Sequence, residues 1–154
     1  MKKLTLSVLG FVLLFTIHAQ TAEKNLENNK AFTGATATKT SYHAIYQLDS
    51  NDPKIIEKAI RNINNALNDT RIAGKIQIEL IAFSGGTDAY MKGSKYEENI
   101  KALAEKGVIV AQCNNTLIER KISRDQIFDF IAVVPSANGE MIIRAAEGWT
   151  IIKP

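Results

Sequence analysis

The chain has 154 residues, one cysteine and a formal net charge of +3 at pH 7. One cysteine excludes an internal disulfide, and setting aside Lys2 and Lys3 of the N-terminal segment leaves a charge of only +1. This small, unclustered charge excludes the basic face that is typical of nucleic-acid-binding proteins, so no nucleic-acid partner is expected.

The N-terminal segment has the pattern of a secretory signal. Lys2 and Lys3 precede a mostly apolar run of fourteen residues, Leu4–Ile17, and His18-Ala19-Gln20 follows as a cleavage region. Because a membrane-spanning helix needs about 20 apolar residues, residues 1–20 are predicted to be a cleaved signal peptide, with a retained anchor as the alternative. The mature protein is therefore expected to be periplasmic or secreted, without stable membrane insertion.

The segment after the signal is polar and shows no apolar periodicity. Residues 21–41 are therefore predicted to form a flexible leader. The remaining 42–154, about 113 residues, fit one compact domain. A domain of this size can bury a core without disulfide support.

The first part of the domain alternates between strand and helix patterns. His43–Leu48 is predicted to be a strand, and Asp52 followed by Pro53 is typical of a helix start. One apolar helical face then follows at spacings of three and four, formed by Ile56, Ile60, Ile63 and Leu67. Lys75–Phe83 is the second predicted strand, and Ser84-Gly85-Gly86 ends it.

The second part repeats this alternation. Ser94 and Glu97 have the spacing of a capping box, and Gly107 suits the end of the helix they would begin. Val108–Gln112 is predicted to be a buried strand, after which Asn114 or Asn115 would cap a short helix. The remaining predicted elements are a capping box at Ser123 and Gln126, a strand at Phe130–Val134, a helix from Pro135-Ser136 to Gly148, and a strand at Trp149–Ile152.

Strands that alternate with helices predict an α/β domain with a mostly parallel sheet of five strands. The strands are apolar runs, which is typical of a sheet covered on both faces. Parallel strands bring their carboxyl ends to one edge, where open α/β sheets bind ligands. The candidate site residues at this edge are Cys113, Asn114, Asn115, Ser84, Gly85, Gly86 and Ser136.

Cys113 is the candidate catalytic residue because it joins a strand end to a helix start. Free backbone N–H groups at a helix N-terminus favour a thiolate over a thiol. A buried, inert thiol is the alternative interpretation. The backbone of Ser84-Gly85-Gly86 could likewise approach an anion, or it could be a plain turn.

Metal and Cys–His chemistry are not supported by the sequence. After signal removal His43 is the only histidine, and it begins a strand, at the opposite end of the sheet from Cys113. No ligand spacing typical of zinc is present. We therefore expect no metal and no cofactor.

Several motifs resemble the DsrE/DsrF-like family, above all its small exported members. These are C-N-N-T-L at 113–117 after a buried strand and the C-terminal VVPSANGEMIIRAAEGWTIIKP, together with H-x-I-Y-Q-L at 43–48 and S-G-G-T at 84–87. The resemblance covers Tyr42–Pro154. It implies a three-layer α/β/α domain, a homo-oligomer (trimer or hexamer) and, for Cys113, the position at which this branch carries its cysteine.

The resemblance also implies a function, because several family members act in sulfur relay. In them a cysteine accepts sulfane sulfur as a persulfide and passes it to a partner. The leading hypothesis is therefore a sulfur carrier that uses Cys113 with a sulfur donor or acceptor protein, rather than an enzyme with turnover. The alternatives are a non-catalytic oligomeric module that binds a small ligand, and a redox sensor that forms an intermolecular disulfide.

Overall fold

The computed structural model describes residues 20–154. The predicted signal peptide thus lies, except for its last residue, outside the described residues. Residues 20–31 are helical with exposed side chains, and 32–41 contain no helix or strand. No side chain of this helical stretch is buried. This agrees with its sequence, which has no apolar face that could pack against a core.

The domain contains five strands and four helices. The strands are β1 (Tyr42–Leu48), β2 (Ile76–Ala82), β3 (Ile109–Cys113), β4 (Ala132–Val134) and β5 (Thr150–Ile152). The helices are α1 (Pro53–Asn68), α2 (Glu97–Glu105), α3 (Asn114–Glu119) and α4 (Ala137–Ala146), and 3₁₀ segments lie at Ser84–Tyr90 and Arg124–Gln126. Within residues 20–154, none of the helices has both the length and the hydropathy needed to cross a membrane.

The five strands form one sheet in the order β4-β3-β2-β1-β5, and every pairing is parallel. In the register, Leu48 pairs with Ala82 and Cys113 pairs with Val134. The predicted α/β fold with a parallel five-stranded sheet is therefore confirmed. Since all strands run the same way, their carboxyl ends share the edge at which Cys113 lies.

Helices cover both faces of the sheet, which makes three layers. The larger core lies under α1 and α2 and includes Ile56, Ile60, Ile63, Leu80, Ile100, Leu103 and Val110. The smaller core lies under α4 and comprises Ile45, Ile81, Ala111, Cys113, Ala137, Met141 and Trp149. Cys113 thus lies on the face of the sheet that α4 covers, in the smaller of the two cores.

The helix starts follow the sequence in some places and depart from it in others. Asp52 caps α1 as predicted, because its Oδ1 accepts the N–H of Lys54 at 2.8 Å. The predicted Ser94–Glu97 capping box is wrong: α2 begins at Glu97, and the Ser94 hydroxyl accepts the N–H of Tyr96 instead. The chain makes a turn at Ser94 before it becomes helical, so the two side chains never reach the reciprocal geometry.

Arg144 of α4 contacts the sheet through an ion pair and a stacking interaction. Its Nε donates to Oε2 of the buried Glu79 on β2 at 2.9 Å, and it also pairs with Glu140 at 3.0 Å. The guanidinium stacks 4.2 Å from the ring centroid of Trp149. Burial and the nearby Glu140 charge raise the pKa of Glu79 although Arg144 opposes them. These contacts fix the helix whose first residue bonds the cysteine sulfur.

Candidate functional site around Cys113

Cys113 is both the last residue of β3 and the N-cap of α3. The prediction that Asn114 or Asn115 caps this helix is wrong, because Asn114 is already its first helical residue. The strand passes into the helix without a connecting loop, so the extended backbone of Cys113 itself occupies the cap position. Its side chain is 5% exposed and points into the smaller core.

The Cys113 sulfur accepts a hydrogen bond from the start of α4 and lies at the start of α3. The backbone N–H of Ala137, at the start of α4, donates to Sγ at 3.3 Å. On α3, the N–H groups of Thr116 and Asn115 and the Thr116 hydroxyl act to lower the pKa of Cys113, although the Cys113 side chain makes no cap hydrogen bond to this helix. Burial acts to raise the pKa of Cys113, but these donors together lower it below its ordinary value. The arrangement therefore favours the thiolate.

Ser136 acts on the sulfur indirectly. It is the N-cap of α4, and its Oγ accepts the N–H of Gly139 at 3.3 Å. This bond orders the first turn of α4 and so places the N–H of Ala137 toward Sγ. Ser136 thus belongs to the site through the helix it caps.

The two asparagines differ in their relation to the sulfur. The backbone N–H of Asn115 acts to lower the pKa of Cys113, and the Asn115 side chain is exposed. Asn114 lines an open groove beside β4 together with Ile118 and Val133. Asn115 therefore affects the thiol through its backbone, whereas Asn114 places an amide side chain in the adjacent groove.

Thr116 is a site residue that sequence reasoning missed. It is 5% exposed, its hydroxyl accepts the N–H of Ser84 at 3.1 Å, and it acts to lower the pKa of Cys113. A signal was present, since Thr116 stands three residues after the cap position, where a side chain can reach back to the capping residue.

The Ser84-Gly85-Gly86 turn contacts the site through its serine. Ser84 has a φ of 51°, which is rare for a residue with a side chain, and its N–H bonds Thr116. A Cβ on Gly86 would overlap the carbonyl oxygen of Leu48, and one on Gly85 would lie 3.1 Å from the nitrogen of Asn51. The Gly86 N–H is taken by the carbonyl of Phe83. The glycines therefore serve the close packing of this turn against the end of β1.

His43 lies near the amino end of β1, as predicted, with its ring 5.1 Å from that of Trp149. It is separated from Cys113 by the length of the sheet. Within residues 20–154, no group of three or more His, Cys, Asp or Glu side chains is arranged to hold a metal ion.

A model of the DsrE/DsrF-like family matches residues 49–154, which is more than half of the chain and includes every candidate site residue. The chain belongs to the DsrE/DsrF-like family. The resemblance carried by the C-N-N-T-L segment and the C-terminal tail is thus confirmed, and with it membership of a family related to sulfur relay.

A solved structure supports this DsrE/DsrF-like assignment. It is that of a protein of unknown function, MTH1491, from Methanobacterium thermoautotrophicum. The TM-score is 0.70 at 28% sequence identity, over 74% of this chain and 100% of that chain. Among curated proteins, nothing matches the chain.

Proposed function

We propose that this DsrE/DsrF-like protein carries sulfane sulfur on Cys113 and passes it to a partner. The observation that supports the proposal is the hydrogen bond at 3.3 Å from the N–H of Ala137, at the start of α4, to the Cys113 sulfur, which itself lies at the N-terminus of α3. Such donors stabilise a thiolate, which is the form of cysteine that attacks sulfur.

The transfer is a balanced exchange of one sulfur atom. The Cys113 thiolate attacks the outer sulfur of a donor persulfide, a new S–S bond forms, and the donor leaves as its thiolate. When an acceptor thiolate attacks the outer sulfur of the Cys113 persulfide, Cys113 leaves as a thiolate, which its hydrogen-bond donor, the N–H of Ala137, stabilises. No external oxidant is needed, and one cysteine suffices because the other thiol belongs to the donor or acceptor.

Burial of the thiol bears on which donors can react. At 5% exposure, Cys113 favours slender donors such as hydropolysulfide over bulky ones. The outer sulfur of a persulfide extends about 2 Å beyond Sγ, which brings the transferable atom closer to the surface. A direct disulfide between two protein chains would need a closer approach of their backbones, so sulfur transfer is favoured over redox sensing.

We further propose that the protein works as a homo-oligomer, a trimer or hexamer, outside the cytoplasm. Export is supported by the sequence pattern of residues 1–20. Assembly is supported by apolar side chains on the outer side of the smaller core: Ile142 is 69% exposed, Ile143 56% and Ile151 42%. Exposed apolar side chains that lie on the same side of a protein often mark an interaction site.

The test is mass spectrometry of the purified protein after anaerobic incubation with inorganic polysulfide. The mass is expected to rise by whole sulfur atoms, and peptide mapping should place them on Cys113. Cys113→Ser is the matched control and should gain none, since the chain has no other thiol. The proposal fails if Cys113 gains no sulfur while iodoacetamide still alkylates it.

A further inference from the structure

A cavity of about 270 Å³ is lined by α1, β1 and β5, toward the end of the sheet opposite Cys113. Its walls are mostly apolar and include the side chains of Ala44, Ala66, Ile72, Ile76 and Ile152. The volume is close to the lower limit of about 300 Å³ for pockets that bind small molecules. A ligand that fits this cavity is therefore small and largely apolar.

Tyr46 of β1 brings a polar group to the apolar cavity. Its side chain lines the cavity and is 5% exposed, and no residue of 20–154 forms a hydrogen bond with its hydroxyl. By contrast, the Tyr42 hydroxyl accepts the N–H of Lys39 at 3.0 Å, and the Tyr90 hydroxyl donates to the Leu80 carbonyl at 2.9 Å. Since a polar group in the interior normally has a partner, the Tyr46 hydroxyl is left to bond a molecule in the cavity.

The protonation of Tyr46 suits it to donate that bond. Burial raises the pKa of Tyr46 above its ordinary value, so the phenol keeps its proton at neutral pH. A neutral phenol has one proton to donate. A negatively charged acceptor makes the strongest bond with such a donor.

The charge around the cavity also favours an anion. Lys39 lines the cavity, is exposed, and has no ion pair with any residue of 20–154. None of the cavity-lining residues within that range is an aspartate or a glutamate. The other polar groups of the lining are neutral hydroxyls, those of Ser41 and Thr150, and the ring of His43, which packs beside Trp149. A carboxylate therefore meets an attractive charge here and no competing acid.

We propose that this cavity binds a small carboxylic acid with an apolar body. The body packs against the alanine and isoleucine walls, the Tyr46 hydroxyl donates to the carboxylate, and Lys39 supplies the attractive charge. Because the cavity and Cys113 lie at opposite ends of the sheet, the inference does not depend on sulfur transfer.

The experiment is an NMR titration of the ¹⁵N-labelled protein with three probes that share one apolar body: hexanoate, hexanol and hexylammonium. Hexanoate is expected to shift the amides of Ala44, Tyr46 and Thr150 saturably, with a Kd of about 1 mM for a ligand of this size. Hexanol should bind about tenfold more weakly because it lacks the charge, and hexylammonium should not bind. Absence of saturable shifts with hexanoate up to about 20 mM, or equal binding of hexylammonium, would overturn the inference.

Two tyrosine variants test the hydroxyl. Tyr46→Phe should weaken hexanoate binding by about tenfold, because a hydrogen bond to a charged group is lost. Tyr96→Phe is the matched control, since Tyr96 is also buried and its hydroxyl also lacks a partner among residues 20–154, but it lines a different cavity, beside the start of α2. Equal weakening in both variants, or none in Tyr46→Phe, would contradict the proposed role of Tyr46.

Two further variants test the charge and the cavity itself. Lys39→Gln should weaken hexanoate severalfold and leave hexanol unchanged. Ala66→Leu places a larger side chain on the α1 wall and should abolish binding of both probes, and unchanged binding would show that the acid lies elsewhere. Alkylation of Cys113 should proceed at the wild-type rate in all these variants. A sulfur adduct on Cys113 without hexanoate binding would remove this inference and leave the proposed function intact.

Discussion

At Cys113 two effects oppose each other. Burial disfavours a charged sulfur, whereas the N–H groups of Asn115, Thr116 and Ala137 favour it, and the donors outweigh burial so that the pKa is lowered. Below its pKa a thiol reacts in proportion to its thiolate fraction. The geometry therefore raises reactivity near neutral pH without a histidine or a basic side chain as partner.

Gly86 is a residue whose size matters more than its flexibility. A Cβ at this position would overlap the Leu48 carbonyl oxygen, whereas a Cβ on Gly139 of α4 would lie 3.6 Å from its nearest neighbour, the Cβ of Ser136. The same substitution is therefore expected to have opposite effects at the two glycines.

Gly86→Ala is expected to lower the free energy of unfolding by about 3 kcal/mol, because the turn must move away from β1. Gly139→Ala is expected to raise it by up to about 1 kcal/mol, because alanine is the better helix former. Urea unfolding followed by circular dichroism measures both. Equal changes in the two variants would show that the turn is not closely packed.

At the scale of elements, the site is made by two strand-to-helix junctions. β3 passes into α3 at Cys113, and β4 leads through Ser136 to α4, whose first N–H, that of Ala137, bonds the Cys113 sulfur. Because β3 and β4 are neighbours in the sheet, the two helix starts come close together. The cap of α4 is thus expected to affect both stability and thiol chemistry.

Ser136→Ala is expected to destabilise the protein by about 1 kcal/mol through loss of the N-cap. It should also slow Cys113 alkylation near neutral pH severalfold, because the Ala137 N–H is less firmly held. Asp52→Ala removes the corresponding cap of α1 and is the matched control, with a similar loss of stability and an unchanged alkylation rate. Urea unfolding and iodoacetamide kinetics on both variants give the comparison, and equal slowing in both would contradict the role of Ser136.

At the scale of the whole molecule, the two faces of the sheet are covered unequally. α1 and α2 bury one face, whereas α4 supports the other and leaves Ile142 and Ile143 exposed. Arg144, on the same helix, is half-buried against Glu79 and Trp149. α4 is therefore held to the sheet by the contacts of Arg144 with Glu79 and Trp149. Its solvent side carries exposed apolar side chains.

Ile142→Glu is expected to reduce the proposed oligomer to smaller species, because a buried carboxylate at a subunit interface is costly. Ile118→Glu is the matched control, since Ile118 is 67% exposed against 69% for Ile142 but lies on α3. Light scattering coupled to size-exclusion chromatography gives the mass of each variant. An unchanged mass for Ile142→Glu would exclude this face of α4 as the interface.

Local patterns determined much of the fold. The alternation of apolar runs and helical faces predicted five strands in a parallel sheet, and Asp52-Pro53 and Ser136 marked helix starts correctly. These features depend on periodicity and on contacts within a few residues, which one sequence contains. Cys113 could be located at the carboxyl edge of the sheet for the same reason.

Tertiary structure decided how the site is built. The sulfur is bonded by the N–H of Ala137, 24 residues away, and Thr116 by the N–H of Ser84, 32 residues away. Arg120, at the end of α3, likewise bonds a group remote in sequence, the carbonyl of Ser84, 36 residues away. Contacts of this kind depend on which strands are neighbours and how tightly turns pack, and no local pattern specifies either. By itself the sequence determined that a lone cysteine ends a buried strand, whereas the packing of the start of α4 beside the end of β3 decided which N–H group bonds its sulfur.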